Sequence, residues 1–168
     1  MPDTQTTIRD QTVADRQAVT DTLYRYASCI DSFDLDGLRS ILDDDLVAQW
    51  GNADPVHGGD AAVEWIKGMT ATVIWQHHLL SVYHVDVDGD HAKALVYHTS
   101  YMCHSESPKE VRQLVARYHN ELRREGDRWR ISKLVMEIVW GEIRRDVDGY
   151  LDSIGGRGPV VWRGPGEA

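Results

Sequence analysis

Residues Gln76 to Cys103 read QHHLLSVYHVDVDGDHAKALVYHTSYMC, two strand-like runs about a polar turn. The Asp88-Gly89-Asp90 turn contains an Asp-Gly step, the strongest short-range signal for a β-hairpin. In a strand successive side chains alternate between faces. Before the turn, His77, Leu79, Ser81, Tyr83, Val85 and Val87 share one parity, and His78, Leu80, Val82, His84 and Asp86 share the other. The second set ends in charge and the first in apolar residues, so the alternation predicts that His77 faces the core. After the turn, Lys93 marks the solvent side and places Ala92, Ala94, Val96, His98 and Ser100 on the opposite face. A buried sheet face carrying His77 and His98 reads as the wall of a polar-bottomed cavity.

Composition bounds what such a cavity can serve. A chain of 168 residues, 42% apolar and 27% charged, is expected to form one globular domain with a sizeable core. Its net charge of −9, without a basic stripe, argues against nucleic acid or an anionic membrane as partner. The polar N-terminus and the lack of a long apolar run lead to a cytoplasmic expectation. Cys29 and Cys103 have no CxxC spacing, and no His-x-His or Glu-x-x-His pattern stands out, so no metal site is expected. With no glycine-rich phosphate loop either, no cofactor is called for. Six Trp and seven Tyr against one Phe favour a pocket that is apolar yet offers hydrogen bonds.

Outward from the hairpin, residues 1–12 read as a disordered arm, 13–154 as a single domain and 155–168 as an irregular Gly/Pro-rich tail. Val19, Leu23, Ala27 and Ile30 recur at helical spacing and predict a helix from Val13 to Asp31. Asp31 extends that apolar stripe at the helix's negative end, where a carboxylate is disfavoured twice over; this points to function. Asp34 instead suits the N-cap of a short helix, Leu35 to Leu42. The run Asp43 to Asp45 reads as a solvated corner, Leu46 to Trp50 as a strand, and Asp60 to Thr70 as a third helix. After a loop from His104 to Glu110, strands are expected over 111–124 and 128–140, then a short helix from Asp146 to Ile154. Helices first and long strands after is an α+β order, with helices against one face of a curved antiparallel sheet. The other face, expected to carry Leu80, Val82, Leu95 and Tyr97, would be exposed and apolar, the mark of self-association.

Several motifs in this order carry a resemblance: Leu23 to Ala27 followed by Asp31-Ser32-Phe33-Asp34, then Leu38 to Asp45, and His57-Gly58-Gly59. Gln76-His77-His78, the Asp88-Gly89-Asp90 turn with Ala92 and Ala94, and Gly126 to Ile131 complete the set. From Ala14 to Trp140 the chain resembles the SnoaL-like branch of the NTF2-like superfamily, which includes scytalone dehydratase and hexachlorocyclohexane dehydrochlorinase. The resemblance implies an NTF2-like cone, a mixed or antiparallel sheet wrapped with N-terminal helices around a cavity, and a homodimer or homotrimer.

The resemblance also implies a working pair, Asp31 at the end of the first helix and His77 opening the hairpin. The imidazole would act as general base, held in its tautomer by the carboxylate. His98, Tyr24 or Tyr26 would polarise a substrate carbonyl, and Trp50 and Trp140 would line the pocket. The expected activity is a cofactor-independent lyase or isomerase, abstracting a proton and eliminating on a small hydrophobic cyclic, polyketide- or steroid-like molecule. The alternatives are a non-catalytic binding or assembly module of the same fold, and a hydrolase or cyclase using Asp31 as its acid.

Overall fold

Val19, Leu23, Tyr26, Ala27 and Ile30 are all buried along one stripe of the first helix, α1 (Thr4–Ser32). The computed structural model describes residues 4–146, with side chains described from residue 11 onward. The helix starts earlier than the apolar pattern marks, so residues 4–12 of the expected disordered arm are helical. They contain neither Gly nor Pro, and nothing in them stops a helix from extending. The short helix expected after Asp146 and the tail from Gly155 lie outside the described residues.

Asp34 is the N-cap of α2 (Leu35–Ser40), its carboxylate accepting from the Gly37 backbone N–H at 2.8 Å. The helix stops short of Leu42, and β1 (Leu42–Trp50) takes in the acidic run that reads as a corner. Cations from three other positions make this possible. Arg39 and Arg130 pair with Asp44, and Arg123 pairs with Asp43, so the carboxylates can project from a strand whose Leu42, Leu46, Ala48 and Trp50 are buried.

There follow β2 (Val56–His57), α3 (Gly59–Met69), β3 (Val73–Asp88), β4 (His91–His104), β5 (Ser107–Glu125) and β6 (Arg128–Arg144). The loop expected over 104–110 contracts to a tight turn, and β5 and β6 outrun their predicted ends. The six strands form one curved, unclosed sheet in the order β2-β1-β6-β5-β4-β3. Among the described residues β1 and β6 run parallel and the other four pairings are antiparallel. The hairpin turn falls where predicted, with Gly89 in the left-handed region at φ 58°. The expected α+β architecture, a mixed curved sheet with helices over one face, is what the chain forms.

Of the register shifts in the sheet, two decide which side chains of the expected site face the helices. Val82 pairs with Val96 and His84 with Leu95, so Tyr83 is an extra residue in β3. Likewise Ala116 pairs with Ile138 and Val115 with Trp140, which makes Val139 an extra residue in β6. Each insertion reverses the alternation beyond it. From Ala92 to Ser100 on β4 and from Ala116 to Leu122 on β5 the alternation is unbroken, and Ala92, Ala94, Val96, His98, Ser100, Ala116, Tyr118, Asn120 and Leu122 are all buried on the helix side. At the narrow end Arg124 closes the interior. It pairs with buried Asp15 of α1, reaches Asp90 at the turn, and lies 4.8 Å over the Trp129 ring.

Candidate active site

Asp31 lies in the last turn of α1, and its side chain is only 14% exposed, as the stripe predicts. Its partner is His78. Oδ2 accepts the His78 backbone N–H at 2.9 Å, and Oδ1 meets His78 Nδ1 at 2.5 Å. His77, expected in this place, points the other way: it is exposed, with its ring beside Trp75 at 6.4 Å between centroids. The physical reason is the bulge at Tyr83. Val85 and Val87 do pack inward, but counting back from them crosses the inserted residue, and Val82, Leu80, His78 and Gln76 take the inner face.

Gln76, the residue two before His78, anchors this strand end to α1. Its Nε2 donates to the Ile30 carbonyl at 2.5 Å, next to Asp31. That bond satisfies one of the carbonyls a helix leaves open at its C-terminus. Carboxylate and imidazole are thus fixed by a double contact from Asp31 and a strand-to-helix tie one residue away. With the carboxylate on Nδ1, that nitrogen carries the proton and Nε2 presents its lone pair. This is the arrangement of a histidine that accepts a proton at Nε2 while the carboxylate stabilises the imidazolium formed.

Beside His78, at 5.0 Å between ring centroids, is His98, where β4 was expected to bring it. It is 2% exposed, and neither ring nitrogen has a hydrogen-bond partner among the described residues. Burial is the main cause, and the charge of protonated His78 the second, of a His98 pKa pushed down to about 3. His98 is therefore neutral at working pH and offers one donor and one acceptor. Ser100 Oγ and Asn120 Oδ1, on the same face of β4 and β5, are also buried and unpartnered. Unsatisfied buried polar atoms each cost about 1–3 kcal/mol, so several on one interior wall indicate a surface built to meet a guest molecule or water.

The aromatic side of the site joins these groups. Tyr118 lies 5.0 Å from His98 and edge-on to Tyr26 at 5.9 Å. Tyr26 is buried as expected, and its hydroxyl accepts from Trp50 Nε1 at 3.2 Å. Trp50 in turn stacks on Trp65 of α3 at 4.1 Å and 8° between planes. Burial pushes both tyrosine hydroxyls well above the ordinary phenol range, so both stay protonated.

Asp31, His98, Tyr26 and Trp50 are thus brought together, whereas three expected site residues are not. Tyr24 is exposed on the outer side of α1, one residue off the buried stripe. Trp140 is exposed on the outer sheet face, turned there by the inserted Val139. His77 makes the third. The residues that sequence reasoning passed over are His78, Tyr118 and Asn120. Tyr118 and Asn120 were legible, since they alternate with Ala116 and Leu122; His78 was not, because nothing in the sequence marks Tyr83 as an insertion. Among the described residues no group of three or more His, Cys, Asp or Glu is arranged to hold a metal ion. Among the described residues no lysine or arginine is in the fully buried polar set, which is Asp15, Thr70, Gln76, His98, Ser100 and Asn120.

Residues 11–135 match the family model for the SnoaL-like domain. No curated protein is similar enough to the chain to count as a match. Among solved structures, a scytalone dehydratase-like protein from Novosphingobium aromaticivorans superposes with a TM-score of 0.74 at 13% identity. The match covers 93% of this chain and 99% of that one. A type 2 hexachlorocyclohexane dehydrochlorinase gives 0.72 at 19% identity, covering 79% and 90%. The type 3 enzyme from Novosphingobium barchaimii gives 0.71 at 18%, covering 79% and 91%. At these identities the likeness shows a shared fold.

Proposed function

Because the chain belongs to the SnoaL-like domain family of the NTF2-like superfamily, we propose that it is a cofactor-independent lyase of the dehydratase type, with Asp31 and His78 as its proton-transfer pair. The observation that carries this reading is the doubly held carboxylate–imidazole pair beside a buried, neutral His98. His78 Nε2 takes a proton from the carbon beside a substrate carbonyl, and Asp31 holds the imidazolium that results. The electron pair left on carbon then forms the double bond as the C–O bond to the β-hydroxyl breaks, and the departing oxygen takes back the proton from the His78 imidazolium and leaves as water, which restores the neutral base. His98, Ser100 and Asn120 supply neutral hydrogen bonds to the substrate's oxygens.

The chemistry of the interior supports one substrate class over others. A carboxylate or phosphate carried inside would need a cation, and among the described residues the buried polar side chains beside His78 are the neutral His98, Ser100 and Asn120. A small, uncharged, oxygen-bearing molecule with a flat hydrophobic body fits the Trp50, Tyr26 and Tyr118 wall. The test is a panel of cyclic β-hydroxyketones, followed for enone formation by ultraviolet absorbance and for α-proton exchange in deuterated water. General-base catalysis is worth on the order of 10²–10⁴-fold, so His78→Ala should lose that much while His77→Ala keeps wild-type turnover. Retained activity in His78→Ala would refute the assignment. Binding without exchange by any member would mark a non-catalytic ligand-binding module instead.

A further inference from the structure

The helix that carries Asp31 has a weak end. There α1 closes with two turn bonds, the Phe33 N–H to the Ile30 carbonyl at 3.1 Å and the Asp34 N–H to the Cys29 carbonyl at 2.9 Å. A helix that ends this way needs one residue in the left-handed region just past its last turn, and glycine fits there best. In this chain the residue is Phe33, at φ 56°. An aromatic residue holds that conformation only under strain, because its Cβ crowds the following carbonyl. Terminal turns are also the part of a helix that opens most readily. Yet Asp31, two residues before Phe33, has to keep both of its oxygens on His78, one on the backbone N–H and one on Nδ1. No further strand helps, since β3 lies at the edge of the sheet. Among the described residues, the hydrogen bonds between β3 and the end of α1 are those two and that of Gln76.

We propose, on the reading of Asp31 and His78 as the proton-transfer pair, that Gln76 is its positioning residue. The amide clamps the end of α1 to β3, so that Asp31 keeps both contacts and the His78 ring stays aimed. Gln76 is 6% exposed and stands on the inner face of β3 in line with Leu80 and Val82, which pack against the core. An apolar residue would fill that place without the cost of burying an amide, so the hydrogen bond to Ile30 is what sets glutamine apart there. Geometry fits the role. Nε2 meets the Ile30 carbonyl, already the acceptor for Phe33, and so holds the backbone link immediately before Asp31. The strand side of the clamp is equally close. Gln76 and His78 are alternate residues of one strand, and their backbones sit opposite Met102 and Ser100 of β4. Gln76 acts through Asp31: a shift of the helix end by about 1 Å would break one of the two contacts, and misplacement on that scale costs on the order of 10²-fold in rate.

Gln76→Met, which keeps length and burial and removes the amide, tests this with two readouts. The first needs no substrate. A histidine Nδ1–H held by a carboxylate gives a proton NMR signal far downfield of the amides, seen only while the bond shelters it from exchange with water. The wild type should show this signal, His78→Ala should lack it, and Gln76→Met should lose it while keeping the far-UV circular dichroism of the wild type. The second readout is turnover of a ketone that the wild type converts. There kcat should fall about 10–10²-fold with KM within about twofold, and the loss should nearly vanish in an Asp31→Asn background. If Gln76→Met does not fold, Gln76→Asn, whose amide is one methylene too short to reach Ile30, takes its place with the same expectations. A glutamine that served stability alone would lower Tm and leave both readouts intact, because the molecules still folded would keep the pair. A retained signal, an unchanged kcat, a loss of kcat that multiplies with that of Asp31→Asn, or a wild type without the signal each overturns the proposal. If no ketone is converted, the lyase reading fails, and the positioning role stands or falls with the loss of the signal in Gln76→Met.

Discussion

His98→Leu should make the protein more stable while impairing whatever the interior does. His98 has both ring nitrogens buried without a partner, and leaving a buried polar group unsatisfied costs about 1–3 kcal/mol. Leucine is of similar volume, has no polar atom, and would join Ala116, Leu80 and Tyr118 in an apolar layer. Interior water offsets part of the cost in the wild type, so the expected gain at pH 7.5 is about 1–3 kcal/mol. For a chain of this size that amounts to roughly 2–4 °C in Tm for each kcal/mol. The gain should also depend on pH in a defined direction. His98 titrates near 6.5 when unfolded and at about 3 when folded, so between those values the unfolded chain binds a proton that the folded chain refuses. Stability from a neutral His98 is therefore fully present above pH 6.5 and is lost as pH falls toward 3, by about 1.4 kcal/mol per unit. The leucine variant lacks this loss, and its advantage should widen on acidification. Urea unfolding of both proteins at pH 7.5, 6 and 5, with equal m-values, measures it. A variant destabilised by more than about 1 kcal/mol, or an advantage that is flat with pH, would show that His98 is a satisfied structural residue, since a stabilising change at a polar site is the signature of strain kept for function.

Two further outcomes follow from other contacts. Asp31→Asn keeps the shape but removes the charge opposite His78. It should lose turnover heavily, and the Asp31→Asn, His78→Ala double variant should lose little more than the worse single, as kcat on an active ketone would report; multiplicative losses would mean that the two act independently. Asp15→Ala strips Arg124 of its buried partner while Asp90 remains, and should cost about 1–3 kcal/mol in urea unfolding at pH 7. Because the Arg124 hydrogen bond holds the Asp15 carboxyl below its ordinary value, the wild type carries this contribution above the ordinary carboxylate range and loses it as pH falls through the folded pKa. A variant as stable as wild type at pH 7 would show the pair to be idle.

Features that rest on uninterrupted local periodicity are legible in the sequence. The α1 stripe placed Asp31 at the edge of the core, the Asp-Gly step placed the hairpin, and the unbroken alternation of β4 put His98 and Ser100 inside. Order of elements settled the α+β class, and the motifs along it settled the family. The sign of the alternation where a strand carries an extra residue emerges only from the folded sheet. A period of two has no memory of which face it started on, so a single insertion reverses every side chain beyond it. Tyr83 did this in β3, exchanging His77 for His78, and Val139 did it in β6, sending Trp140 to the outer face. Neither residue is a glycine or proline that would flag a bulge. A bulge bends and twists its strand relative to the partner, and whether one is accommodated is decided by the pairing across the sheet, not by any stretch of sequence within the strand.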